Sequence, residues 1–394
     1  MNLRLYTITF IESLATTAAE RGIYFYAASL LGFSDMQNLW LALVFGACYA
    51  AGALLSHRCC VRWGERRILL LTVLGQLLVH VAMAIEVTGQ TVYVGMALIG
   101  LLNGMKWPVM ESYVGAGHTP QSALKVVGQY NVSWASAVPL GLAGSGAIIA
   151  CWPAGLFALP AVVNLVSIIL LWPLPAVPVH MADDHPQRPD EPAMFRYSHL
   201  LTASRWLMFQ SYATLWILAA LLPHIMTDLG FAVGLGAALA GLLDAVRCIA
   251  FLLLQRWKGW HNRLAPLGVA LVALPLGFFM VLLGGSAPLV FAGELIFGLV
   301  AGQVYYAALY YALVVKNASV DAGGAHESLI GLGFGVGPLA GMAAQGIAVR
   351  VGSSALGMVM GVGPLILLCS AGAIRHGIKI IARDRRSALP EARS

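Results

Sequence analysis

The chain has 394 residues, of which 59% are hydrophobic and 10% charged, against about 25% charged in a soluble globular domain. With a mean hydropathy of +0.81 this composition excludes a soluble fold. It describes an all-α membrane protein, because the apolar stretches are ~20 residues long and are not the alternating ~10-residue strands of a membrane barrel. The formal net charge of +6 does not indicate a nucleic-acid partner, since the basic residues collect at the ends of apolar segments, where they set topology.

Apolar length and loop punctuation place twelve spans, at 5–31, 38–56, 68–86, 91–113, 126–149, 153–173, 205–228, 233–254, 264–284, 287–314, 325–349 and 354–375. Span 1 is too long for a cleavable signal sequence and carries Glu20 and Arg21 in its middle. A charged side chain at the centre of a membrane helix costs about 2.5–3.5 kcal/mol on insertion scales, so it marks a polar cavity or a partner. Glu12, Thr16, Glu20 and Tyr24 recur every four residues and share one face, with Thr17 and Arg21 on the adjoining stripe. Glu20 is therefore a candidate proton carrier, and Arg21 and Tyr24 are candidate substrate ligands. A permanent ion pair to another helix is the structural alternative.

The loop after span 2 is basic, with Arg58, Arg62, Arg66 and Arg67. Cys59-Cys60 lies in it, but no second Cys or His pair stands at ligand spacing, so neither a metal nor a cofactor is expected. In span 4, Asn103, Lys106, Trp107 and Met110 share a side. Lys106 is read as binding an anionic group or pairing with Glu20, or else as snorkelling to the headgroups. Pro108 is expected to kink the helix, and Glu111 reads as a gate or loop partner. The longest polar break runs from Pro173 to Ser204 and is Pro-rich and charged, which predicts an extended linker. It divides the chain into an N-terminal six-helix bundle (1–173), a cytoplasmic linker (174–204) and a C-terminal six-helix bundle with a basic tail (205–394).

In span 8, Asp244 and Arg247 are three residues apart and can pair within the helix, with a role between the halves or at substrate as the alternative. Glu294 in span 10 is an isolated acid and a second proton-site candidate. Gln303 and Tyr306 share a face there and can clasp a substrate, unless the tyrosines of this helix are interface anchors. His326-Glu327 opens span 11, either as a gate or as an ordinary acidic helix start. Lys and Arg fall on one side of the twelve-span arrangement, while the opposite loops offer only Arg350. Both termini are therefore expected in the cytoplasm.

The two halves echo each other. Gly100, Gly104, Trp107 and Tyr113 of span 4 align with Gly298, Gly302, Tyr305 and Tyr311 of span 10, and Val138-Pro-Leu-Gly141 of span 5 with Gly337-Pro-Leu-Ala340 of span 11. Such parallel repeats place a binding site between the halves near the midplane. With this layout the chain resembles the major facilitator superfamily over essentially its whole length. Gly52-Ala-Leu-Leu-Ser-His-Arg58 and Arg62-Trp-Gly-Glu-Arg-Arg67 look like the two parts of that family's loop signature, Gly-x-x-x-Asp-Arg-x-Gly-Arg-Arg, pulled apart and without its Asp. Gly335-Val-Gly-Pro-Leu-Ala-Gly341 is similar to the Gly-Pro motif of its antiporters. Thr17 to Tyr26 is similar in chemistry to the Glu-x-x-Glu-Arg-Phe-x-Tyr-Tyr-Gly segment of proton-coupled oligopeptide transporters, with Thr17 in place of the first Glu. The resemblance implies a monomeric secondary transporter of the inner membrane, surrounded by lipid. It would move a small organic solute by alternating access, coupled to protons, with Arg62, Arg66, Asp244, Arg247, His326 and Glu327 as gating or ion-pair residues. An uncoupled facilitator, a lipid flippase and a transporter-like receptor are the alternatives. No Walker motif and no clustered nucleophile–base set is visible, so neither an ATP-driven pump nor an enzyme is expected.

Overall fold

A computed structural model describes residues 2–115, 120–178, 191–316 and 320–388. They form twelve spans in two groups of six, as apolar length predicts. Span 1 comprises Asn2–Glu20 and Gly22–Leu30; spans 2 to 6 are Asp35–Trp63, Glu65–Ile85, Gly89–Gly115, Pro120–Cys151 and Gly155–Leu171. Span 7 is Glu191–Asp228, span 8 comprises Val233–Ala240 and Leu242–Arg256, and spans 9 to 12 are Ala265–Leu283, Ala287–Lys316, Val320–Val351 and Ser354–Ala388.

Local chemistry sets the helix ends. Span 2 starts with a capping box: Ser34 Oγ accepts from the Gln37 N–H at 3.4 Å and Gln37 Oε1 accepts from the Ser34 N–H at 2.9 Å. Gly64, at φ 82°, makes the tight turn into span 3. Spans 1 and 8 are each interrupted for one residue, at Arg21 and Gly241. Membrane helices break where the freed backbone lines a polar cavity or is covered by protein.

The repeat seen in the sequence has a packing role. A Cβ on Gly100 would lie 2.5 Å from the Phe45 carbonyl oxygen, one on its counterpart Gly298 2.3 Å from that of Leu243, and one on Gly104 2.1 Å from that of Tyr49. Span 4 thus presses on span 2 as span 10 presses on span 8, through aligned glycines. Replacing Gly104 by valine is expected to lower stability by about 1–3 kcal/mol, the usual cost of overpacking. A lower thermal midpoint and a smaller monodisperse peak in detergent would register it.

Span 7 begins earlier than the polar composition of 174–204 suggests. Residues 191–204 are helical, with Pro192 in the first turn, where its missing N–H costs nothing. Arg196 pins this extension: it pairs with Asp384 at 2.5 Å and donates to the Asn262 carbonyl at 2.9 Å. The Pro-rich stretch at 182–190 lies outside the described residues.

The halves meet along spans 2 and 11 and along spans 5 and 8. On the face away from the termini they are clamped. Asp35 pairs with His224 at 2.5 Å, and Asn38 Nδ2 donates to the Ala220 carbonyl at 3.1 Å.

Candidate functional site

Between the halves lies a cavity of about 120 Å³ that opens at a mouth. Its charged lining is Glu20 and Arg21 of span 1, Glu111 of span 4, Arg247 of span 8 and Glu327 of span 11. Aromatic rings make up most of the remaining wall. Phe334 stacks on Trp216 with centroids 3.6 Å apart and stands edge-on to Tyr49 and Tyr212 at 5.1 and 5.6 Å. Trp134 meets Tyr305 at 5.4 Å.

The charges are organised in three groups. The first joins the halves: Asp244 accepts from Arg21 at 3.2 Å and pairs with Arg247 at 2.9 Å, all three side chains being buried. One carboxylate thus serves two guanidiniums, and both arginines also face rings, Arg21 over Trp216 at 5.8 Å and Arg247 over Trp134 at 5.0 Å. The interruptions of spans 1 and 8 fall beside this triad, Arg21 being the break residue itself.

The second group lies inside the N-terminal half. Lys106 Nζ donates to Glu12 Oε2 at 2.8 Å and to Gln76 Oε1 at 3.0 Å. Asn164 Nδ2 donates to Glu12 Oε1 at 3.1 Å, and Asn164 Oδ1 meets His80 Nδ1 at 2.8 Å. Gln76 Nε2 donates to Asn103 Oδ1 at 2.6 Å, and Asn103 in turn donates to Glu20. Spans 1, 3, 4 and 6 are tied together by one connected polar network that ends on the cavity acid Glu20.

The third group crosses the halves again. Glu111 and Glu327 stand side by side on the cavity wall, within hydrogen-bonding reach of each other, and Tyr49 donates to Glu327. An ionised carboxylate only accepts hydrogen bonds, so a bond between the two forms when one of them holds a proton.

Of the residues singled out in the sequence, Thr16, Thr17, Glu20, Arg21, Trp107, Glu111, Arg247 and Glu327 line the cavity. Asp244 stands behind them as the counter-ion of both arginines. Lys106 is fully buried and bonded to Glu12, so it neither snorkels nor meets Glu20 directly. Asn103 sits between Gln76 and Glu20. Tyr24 is buried with Trp216 and Arg21 for polar neighbours. Tyr305, and not Tyr306, is on the cavity wall; Tyr306 packs against Phe251 and Trp260. Gln303 is half-buried, and its Nε2 has no hydrogen-bond partner among the described residues. Glu294 is fully buried, neither carboxyl oxygen has a hydrogen-bond partner among the described residues, and it feels the charges of Asp244 and Arg21. His326 is buried edge-on to Tyr305 at 5.1 Å and faces Arg205. Arg62 lies over Trp63 at 5.6 Å, and Arg66 donates to the Leu174 carbonyl at 2.9 Å, within the N-terminal half.

Gln76 and His80 were not singled out from the sequence, although Thr72, Gln76 and His80 recur every four residues in span 3 and form a readable polar stripe. Tyr49, Tyr212 and Phe334 carried no such signal, because aromatic residues are common throughout membrane helices.

A family model described as Major Facilitator Superfamily matches residues 5–338. Solved structures share the fold at low identity. The human organic anion transporter MFSD10 (TETRAN) is 14% identical, with 94% of this chain and 99% of that one covered and a TM-score of 0.66. A bacterial homolog of the human lysosomal transporter Spinster, inward-facing and unoccupied, is 15% identical, with 97% of each chain covered and a TM-score of 0.67. A point mutant of the nucleoside transporter NupG is 11% identical, with 97% of this chain and 99% of that one covered and a TM-score of 0.64. Among curated proteins no sequence matches. Twelve spans in two echoing halves, a polar cavity between them and a family match over most of the length lead to one assignment: the chain belongs to the major facilitator superfamily.

Proposed function

We propose that the protein is a secondary transporter of the inner membrane that moves a small organic solute by alternating access, driven by protons. The observation that carries this reading is the cavity between the halves, whose charged lining comes from both of them. The halves are clamped on the face away from the termini by Asp35–His224 and Asn38–Ala220. Both of these contacts are polar, and they can break as the halves rock. Arg21 reaches Asp244 across the interface, so that bond too is made and broken with the conformation.

Glu20 is the acid proposed to carry the driving proton. It is buried at the cavity wall, and its recorded hydrogen bond comes from a neutral amide, Asn103. It can therefore gain or lose a proton without breaking an ion pair. A gradient of one pH unit is worth about 1.4 kcal/mol per proton, a tenfold concentration ratio. In proteoliposomes offered labelled organic cations, anions and neutral solutes, the wild type is expected to concentrate its cargo by about tenfold per pH unit for each coupled proton. Glu20→Gln is expected to lose one factor of about ten per pH unit, the share of one proton, while leaving downhill exchange. Equal accumulation by the two proteins removes Glu20 from the coupling step. Binding without flux in either protein points to a receptor.

A further inference from the structure

Glu111 and Glu327 meet each other in the cavity, and among the described residues no cation pairs with either. Lys106 is taken by Glu12, and Arg21 and Arg247 share Asp244. Counting the cavity charges with Asp244 behind them gives four carboxyls, Glu20, Glu111, Asp244 and Glu327, against two guanidiniums. The shared proton of the Glu111–Glu327 pair offsets one of the two excess negative charges. A cavity so balanced attracts cations and repels anions.

The walls around the pair suit the same kind of guest. Tyr49, which bonds to Glu327, packs with Tyr212 and Phe334 on the wall of the same cavity, and rings in this cavity already hold the guanidiniums of Arg21 and Arg247.

We propose, on the reading of the protein as a transporter, that the Glu111–Glu327 pair is the substrate site for an aromatic or amphipathic organic monocation, which enters by displacing the shared proton. The step balances without a co-reactant: the O–H bond of the protonated carboxyl breaks, the proton passes to water, and the cation takes its place between two carboxylates. No electrons move. The net charge of the pair is minus one before and after, so this site exchanges one proton for one cation. Because Glu111 belongs to the N-terminal half and Glu327 to the C-terminal half, either occupant bridges the halves, and an empty, doubly ionised pair drives them apart.

Other titratable groups face the pair. Tyr49 bonds to it from span 2, while Tyr130, Tyr212 and Tyr305 approach from spans 5, 7 and 10. Glu20 and Arg21 lie across the cavity on span 1, Asp244 and Arg247 on span 8, and His326 precedes Glu327 with Arg205 facing it. The arginine triad is already paired and the tyrosines stay neutral near pH 7, which leaves Glu20 as the other carboxyl able to contribute a proton.

The test is proton release on binding, in weakly buffered detergent solution, with tetraphenylphosphonium and phenethylammonium as cation probes and 2-naphthoate as the anion probe. About one proton released per cation bound is expected, from the one-for-one exchange, with no release by 2-naphthoate. Glu327→Gln and Glu111→Gln are expected to lose release and to weaken cation binding at least about tenfold, the loss of a charge-assisted contact. Tyr49→Phe, which removes a hydrogen bond and no charge, is expected to keep release and move its pH midpoint. It keeps the proposal falsifiable should the glutamine variants fail to give a monodisperse protein. No cation-dependent release in wild type, or release unchanged in a folded Glu327→Gln protein, overturns the proposal. The two readings fail separately. Proton release without flux in proteoliposomes sinks transport and spares the site, whereas gradient-driven flux of 2-naphthoate alone spares transport and sinks the site.

Discussion

Replacing Asp244 by asparagine is expected to destabilise the protein by about 3–5 kcal/mol, the cost of leaving a buried charge without its partner. Asp244 is fully buried and is the counter-ion of Arg21 at 3.2 Å and of Arg247 at 2.9 Å. Without it two buried guanidiniums face each other, with Glu20 and Glu294 as the other acids nearby. Asparagine keeps the size and one acceptor oxygen, so the loss measures charge and not volume. Adding Arg247→Gln should recover most of the stability, because the remaining Arg21 charge is then matched by Glu20. Thermal midpoints of the wild type, both single variants and the double variant form a cycle that isolates the coupling. A double variant as unstable as Asp244→Asn alone would show that shape, and not charge, holds this site. The same substitution removes a bond between the halves, so solute flux should fall further than the folded fraction does.

Lys106→Met is the second large effect. Lys106 lies in the core of the N-terminal half, 2.8 Å from Glu12 and 3.0 Å from Gln76. Methionine fills nearly the same volume and leaves the Glu12 carboxylate with Asn164 as its recorded donor. Breaking one side of a buried pair costs about 3–5 kcal/mol, while removing both partners is often neutral. Glu12→Gln with Lys106→Met should therefore be far more stable than Lys106→Met alone. Chemical denaturation in detergent, followed by tryptophan fluorescence, reads both. Equal stability of the single and double variants would mean that the network survives on its neutral amides, Gln76, Asn103 and Asn164, without needing the charges.

The membrane-spanning character, the twelve spans and the repeat were legible in the chain because each depends on local composition. A helix that crosses a bilayer must be apolar over ~20 residues, and a basic loop declares itself by its own residues. The aligned glycines of spans 4 and 10 were legible for the same reason: close approach admits no side chain, whatever the partner. The one-residue interruptions at Arg21 and Gly241 carried no comparable signal. The helical start at Glu191 was hidden by the polar composition that read as linker.

Charge inside an apolar span marks which residues need partners, but not which partners they have. Lys106 stood as a mate for Glu20 or as a snorkelling lysine, and packing gave it to Glu12. Asp244 and Arg247 read as a pair within one helix, and tertiary structure added Arg21 from the other half. Glu111 read as a gate or loop partner from its depth along its own helix, and tertiary structure sets it beside Glu327, on span 11 of the other half. Spacing along one helix decides which side chains share a face. Only the rotation and docking of the helices decides what that face meets, and those depend on contacts spread over the whole chain.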